Sequence, residues 1–178
     1  MGDANDNSIT GYNDGSNRIY GLDGNDNVNG GAQADLIDGG HGNDYLVGNA
    51  GADTYLFGKG SGQDTIYNYD SDALGVNADT IKLGVGISAD QLWFRQVSGS
   101  LEVSVIGTND KFTVSNWYSG NTYHVDQFKT SDGKTLLDSQ VQNLVSAMAG
   151  FAPPAAGQTT LSTSYAASLN PVIVANWQ

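Results

Sequence analysis

A nine-residue phrase occurs four times in succession between Gly21 and Leu56: GLDGNDNVN, GGAQADLID, GGHGNDYLV and GNAGADTYL. Each copy opens on glycine, carries Asp at its sixth position and a bulky apolar residue at its eighth. A period held this long forces a stacked architecture, because one unit is too short to bury its single large side chain alone. The phase extends past the four copies. Apolar residues stand at Ile9, Ile19, Val28, Ile37, Leu46, Tyr55 and Ile66, and two residues before each come Asn7, Asn17, Asp26, Asp35, Asp44, Asp53 and Asp64. The steps are nine residues, except ten before Ile19 and eleven before Ile66, which makes seven units with degraded outer members.

This spacing predicts a six-residue turn and a three-residue strand per unit, with two units making one coil of roughly 18 residues. The eighth side chains then point inward as a thin aliphatic spine between two parallel sheets. Glycine serves the turns where the backbone takes positive φ or packs too closely for a Cβ. So thin a spine buries little area per residue. Burial alone does not offset the ordering entropy of a glycine-rich chain, so a bound metal has to supply the difference.

Charge points the same way. Residues 1–79 hold thirteen Asp against only Arg18 and Lys59, a local charge of −11 out of −12 for the 178 residues. Residues 80–138 are nearly balanced, and no side chain after Asp138 is charged. An acidic first half repels nucleic acid and anionic lipid, and without cations it repels itself. There is no cysteine, so a disulfide framework is excluded. No apolar stretch approaches the roughly 20 residues that span a bilayer. Met1-Gly2-Asp3 leads into repeat-like sequence without a signal peptide, and we expect a piece of a longer protein with Met1 added.

Carboxylates and backbone carbonyls are hard oxygen ligands, and calcium accepts six to eight of them in a tolerant geometry. Magnesium demands a stricter octahedron, and zinc would want His or Cys, of which the chain has two isolated histidines and none. Stacked turns two units apart should therefore pair Asp26 with Asp44 and Asp35 with Asp53. Asn17 with Asp35 and Asp44 with Asp64 form weaker candidates. Further oxygens come from Asp23 and the turn glycines Gly21, Gly24, Gly30, Gly31, Gly39, Gly40, Gly42, Gly48 and Gly51. An interior Asp would be shared between neighbouring cations. Roughly three to five calcium ions are expected in all.

Residues 68–137 alternate as strands do, at 79–83, 92–97, 101–106, 111–117 and 124–130, separated by turns such as Ser98-Gly99 and Asp132-Gly133. An antiparallel cap closing the open end of the coil is predicted, with Trp93, Phe94, Phe112, Trp117 and Phe128 as its core. Asp138 or Ser139 caps a short helix with Val141, Leu144, Val145 and Met148 on its apolar face, ended by Gly150. The last 28 residues are rich in Ala, Ser, Thr and Pro, with a faint helical stripe at Leu161, Tyr165 and Leu169 before the apolar run Val172–Ala175.

The nonapeptide resembles the Gly-Gly-x-Gly-x-Asp-x-apolar-x repeat of the RTX (repeats-in-toxin) haemolysin-type proteins. The 39–47 copy matches at every defined position, whereas Leu22, Gln33 and Asn49 replace glycines in the others, and Asn7 and Asn17 replace Asp. GADTYLFGKGSGQDTI at 51–66 and DTIKLG at 79–84 look like the β segment that follows the repeats in that family, and 143–177 is similar to its C-termini. The resemblance implies an all-β fold: a calcium-filled parallel β-roll at 1–67, a β-rich cap at 68–137, and a helix and export-signal tail at 138–178. It also implies a calcium-dependent folding module of a bacterial type I secreted protein. Such a module stays unfolded in low-calcium cytosol, has its tail read by an ABC transporter, folds outside the cell or at its surface, and stabilises upstream domains of a larger parent.

Other signals carry less. Gly84-Val-Gly86-Ile-Ser-Ala89 matches a dinucleotide-binding fingerprint without the βαβ context, and 23–34 fails as an EF-hand because Val28 stands where the sixth-position glycine should and no bidentate Glu closes the loop. His41 and His124 read as surface residues, and no nucleophile-base set has recognisable spacing, so no enzyme is expected. Two alternatives remain: a cell-surface adhesin or surface-layer anchor, and a polysaccharide-binding accessory module using aromatics on one face of the cap.

Overall fold

The computed structural model describes residues 1–70, 76–155 and 157–178. Eight short strands follow one another through the first part: β1 (Ser8–Thr10), β2 (Arg18–Asp23), β3 (Asn27–Gly31), β4 (Leu36–His41), β5 (Tyr45–Asn49), β6 (Thr54–Phe57), β7 (Gln63–Tyr67) and β8 (Thr80–Leu83). Odd and even strands separate into two sheets, each pairing in parallel with the strand two further on. The chain therefore coils, and each coil lays one strand on each sheet. This is a parallel β-roll.

Register follows the eighth position of the repeat. Ile9, Val28, Leu46 and Ile66 are paired in turn across one sheet. Ile19, Ile37, Tyr55 and Ile81 are paired across the other. All but Ile9 are buried, and they form the inner spine. β1 has the three residues expected, but β2 to β5 are longer, because pairing continues into the first two positions of the next repeat: Leu22 pairs with Gly40, and Gly31 with Asn49. A glycine offers no side chain to interrupt two closely stacked backbones.

Five further strands complete the sheets: β9 (Leu92–Val97), β10 (Ser100–Val105), β11 (Lys111–Val114), β12 (Gln127–Lys129) and β13 (Thr135–Leu137). The expected antiparallel cap is present in β9–β10–β11 and β12–β13. The roll also runs on into it. β11 joins β7 in parallel with Val114 opposite Ile66, and β12 joins β8 in parallel with Phe128 opposite Ile81. A parallel edge strand has unpaired N–H and C=O groups, and adding parallel strands before reversing direction satisfies them without breaking the spine.

Trp93, Phe94, Phe112, Trp117 and Phe128 are all buried, as expected of the cap's core, and the adjacent Trp93 and Phe94 show that β9 is covered on both faces. Phe112 meets Phe57 edge-on at 4.9 Å and stacks on Phe128 at 6.1 Å, so the thin aliphatic spine widens into an aromatic cluster at the cap. Glu102 is buried between Arg95 at 2.6 Å and Lys111 at 3.0 Å, one partner on each neighbouring strand. Burial opposes its ionisation, but the two cations outweigh it and hold its carboxyl below the usual range.

Helix α1 (Asp138–Met148) buries Val141, Leu144, Val145 and Met148. The faint stripe and the apolar run beyond it are one helix, α2 (Thr163–Asn176), whose Ser162 accepts the Tyr165 N–H as its N-cap. Helix α2 packs on α1 and buries Leu169 and Ile173, and Asn143 donates to Asn176 at 2.8 Å. Trp177 is buried, and Gln178 exchanges two backbone hydrogen bonds with Thr135 beside β13. The end of the chain is built into the cap.

Candidate metal centre

Every sixth-position residue stands immediately before its strand, except Asp64, which is the second residue of β7, and the coil stacks them on one another. One edge carries Asn7, Asp26, Asp44 and Asp64; the other carries Asn17, Asp35, Asp53 and, further on, Asp79 and Asp126. Each carboxylate uses one oxygen to hold the coil before it. The backbone N–H of Asn7, Asp26 and Asp44 donates to Oδ1 of Asp26, Asp44 and Asp64 at 2.7, 2.8 and 3.1 Å. On the other edge Asn17, Asp35 and Asp53 donate to Asp35, Asp53 and Asp79 at 2.6, 2.9 and 2.8 Å, and Asp79 donates to Asp126 at 2.9 Å.

The second oxygen is the informative one. Oδ2 of Asp26, Asp35, Asp44 and Asp53 is buried with no hydrogen-bond partner. Among the described residues only the Tyr118 hydroxyl and the Trp177 indole nitrogen share that condition. A buried polar atom left unpaired costs about 1–3 kcal/mol, and an ionised one more. Four such oxygens at the same repeat position are a pattern that a fold does not keep without a partner for them.

Backbone oxygens crowd the same places. A Cβ added at Gly21 would collide with both Asp26 Oδ2 and the Gly39 carbonyl of the next coil; one at Gly30 would meet Asp35 Oδ2 and the Gly48 carbonyl. Gly39 and Gly48 likewise lie against Oδ2 of Asp44 and Asp53. First-position glycine is thus required by the carboxylate that folds back over it. The second position is required by conformation: Leu22, Gly31, Gly40 and Asn49 have φ of 85°, 129°, 99° and 70°. Among the described residues no three His, Cys, Asp or Glu side chains converge as a ready-made metal site. An ion held here draws on one or two carboxylates and takes its remaining oxygens from carbonyls, which suits a hard cation with high coordination number.

The electrostatics agree with that fit. Burial first, then the negative charges of neighbouring acids, pushes Asp53 and Asp64 up to about 8 and Asp79 up to about 7. Asp44 is raised for the same reasons, with Asp26 as a neighbouring charge. These carboxylates are uncomfortable as anions until positive charge is beside them.

Of the candidates, Asp26, Asp35, Asp44, Asp53 and Asp64 join the two ladders, and Gly24, Gly42 and Gly51 form the adjoining turns. Asp23 does not: it ends β2 exposed, opposite His41. Asn17 joins its ladder with the amide nitrogen facing the surrounding oxygens. His41 is exposed, but His124 is not the surface residue expected. It stacks on Trp117 at 3.9 Å and bonds the Trp117 carbonyl and Asp138.

Asp79 and Asp126 extend the ladder although they lie outside the nine-residue series. Both stand two residues before an inward apolar residue, Ile81 and Phe128, which is the sixth-to-eighth spacing of the repeat. The separations of 26 and 47 residues hide it, because inserted chain breaks the nine-residue step. Asp79 differs in one respect. Its Oδ2 accepts from Asn68 at 2.7 Å, and Asn68 also donates to the His124 carbonyl and accepts from the buried Tyr55 hydroxyl at 2.7 Å.

Comparison with known proteins matches the same segments. The RTX calcium-binding nonapeptide repeat (four copies) matches residues 11–46, 20–55 and 34–66, and the haemolysin-type calcium-binding protein related domain matches 101–140. The iron-regulated protein FrpA of Neisseria meningitidis serogroup C is 41% identical over 95 residues, covering 52% of this chain and 8% of that much longer protein.

Proposed function

This chain belongs, through residues 11–66, to the RTX haemolysin-type calcium-binding proteins, and from that premise we propose that it is a calcium-operated folding module of a secreted protein. Bound calcium supplies two positive charges and tolerates six to eight oxygen ligands. Asp26, Asp35, Asp44, Asp53 and Asp64, with the carbonyls of the glycine turns, hold it along the two edges of the roll. The observation that carries this reading is the set of four buried, unpartnered Oδ2 atoms.

Mass action gives the size of the effect. Extracellular calcium modules bind at about 10⁻⁴–10⁻³ M. At roughly ten times the dissociation constant, one site stabilises the fold by about 1.4 kcal/mol. Four such sites approach about 6 kcal/mol, comparable to the entire stability of a small domain. In cytosol, where calcium is scarce, the self-repelling acidic stretch stays open, a form suited to passage through a transporter that reads the tail. Outside the cell the roll, the cap and any preceding domain fold.

The module works by binding rather than catalysis, since carboxylates committed to a cation are not free to move protons. Among the described residues no helix is long and apolar enough to cross a membrane. A sugar-binding platform built from the cap aromatics is disfavoured, because Trp93, Phe94, Phe112, Trp117 and Phe128 are buried.

Isothermal titration of the wild type and of Asp44→Ala tests the ladder. Asp44 adjoins Asp26 on one side and Asp64 on the other, so we expect the variant to bind at least one calcium ion fewer. An unchanged calcium count would remove Asp44 from the site.

A further inference from the structure

Asn17 takes the ladder position that Asp holds in the next five units, and its surroundings are unusual for a neutral amide. Its Nδ2 lies 2.9 Å from the Tyr12 carbonyl, 3.0 Å from the Gly15 carbonyl, 3.0 Å from the Gly30 carbonyl and 2.9 Å from Asp35 Oδ1. An amide nitrogen has two hydrogens, so four oxygens converge on a donor that can fully satisfy two. Its orientation is set by the other end of the group, because Asn17 Oδ1 accepts the Tyr12 N–H at 2.9 Å. Exchanging the two atoms would leave that N–H facing a donor and place an oxygen among four oxygens.

Convergence of carbonyls and a carboxylate on one point is the arrangement of a cation shell rather than of an amide's usual partners. We propose that the Asn17 side-chain amide replaces a calcium ion in the first turn of its edge, so that this rung forms without metal. The inference rests on the calcium reading of the Asp ladder and adds where that ladder stops. Beyond Asp53 the same edge is closed similarly: Asp79 Oδ2, which would otherwise match the unpartnered Oδ2 of Asp35 and Asp53, accepts from the Asn68 amide. An amide stands on each side of the two bare carboxylate oxygens.

A metal-free rung has a consequence for assembly. A turn that closes on its own amide offers the next coil a formed template before any ion arrives, since Asn17 N–H already holds Asp35 Oδ1 at 2.6 Å. The first ion then finds one of its two turns in place.

The test uses the full chain and counts bound calcium at saturation by native mass spectrometry and titration calorimetry, for wild type, Asn17→Asp and Asn17→Ala. Asn17→Asp turns the donor into a fifth converging oxygen and should gain one calcium ion over wild type. Asn17→Ala should bind as many ions as wild type while the amides of residues 11–17 lose protection in hydrogen exchange. Asn17→Asp with no added ion, or unable to fold at millimolar calcium, would overturn the proposal. So would loss of an ion in Asn17→Ala, which would make Asn17 a ligand. A wild type that binds no calcium would instead remove the ladder reading itself.

Discussion

The nonapeptide is a compromise between two residues that cannot both be large. Aspartate at the sixth position folds its Oδ2 back over the first, and the first must then be glycine. The second position needs positive φ, which Gly31 and Gly40 provide freely and Leu22 does not. Leu22 at φ 85° is strained, and its side chain is 39% exposed and packs little. Leu22→Gly should therefore stabilise the calcium-loaded protein by about 1 kcal/mol, read as a higher thermal midpoint. A lower midpoint would mean that the leucine side chain contributes more than its backbone loses.

Protons should compete with calcium for the same oxygens. Without metal, burial raises Asp53 and Asp64 to about 8 and Asp79 to about 7, above an unfolded value near 3.9. Raised acids favour the folded state fully below the unfolded value and lose that contribution as pH climbs through 7 and 8. In chelator the chain should thus be more ordered at pH 5 than at pH 9, and calcium should abolish the difference. Equal ellipticity at both pH values in chelator would contradict it. These residue-scale features were legible in part. The Asp positions and the glycine replacements stand in plain view, but the fate of each Oδ2 depends on stacking that no single turn encodes.

At the scale of elements, periodicity carried the reading as far as Ile66 and then failed for a physical reason. A stacked roll is indifferent to how much chain lies between two coils, provided that strand and bend return in register. Asp79-Thr80-Ile81 and Asp126-Gln127-Phe128 keep the phrase, and β8 and β12 keep the parallel pairing, after inserts that erase the period. The tail showed only a faint helical stripe, yet α2 and Trp177 are docked, because an uncharged stripe needs only an apolar partner and α1 supplies one. The apolar face of α1 and the five cap aromatics were legible because helix and strand periods are local.

Hydrogen bonds among Tyr55, Asn68 and Asp79 tie the roll to the cap at their junction. Tyr55→Phe leaves Asn68 Oδ1 without its donor and should cost about 1–2 kcal/mol of stability in denaturant titration, with the calcium count unchanged. Loss of an ion in that variant would show that the junction and the metal ladder are one unit.

As a whole the molecule joins two kinds of stability along one continuous pair of sheets. The cap, with its aromatic cluster, the Arg95–Glu102–Lys111 network and two helices, is an ordinary folded core. The roll has a spine one side chain wide and a surplus of negative charge, and in this account it acquires its missing stability from solution. Because β7 feeds β11 and β8 feeds β12, folding of one part is transmitted to the other through strand pairing. The tail is docked on the cap, so under the proposed export role a transporter would meet it exposed only before the fold is complete.

Far-UV circular dichroism with tryptophan fluorescence, on the full chain at neutral pH, tests this most directly as EGTA is replaced by millimolar calcium. The account predicts a largely disordered spectrum in EGTA. A cooperative gain of β signal should follow, with a blue shift as the buried Trp93, Trp117 and Trp177 leave water. Identical spectra with and without calcium would contradict it.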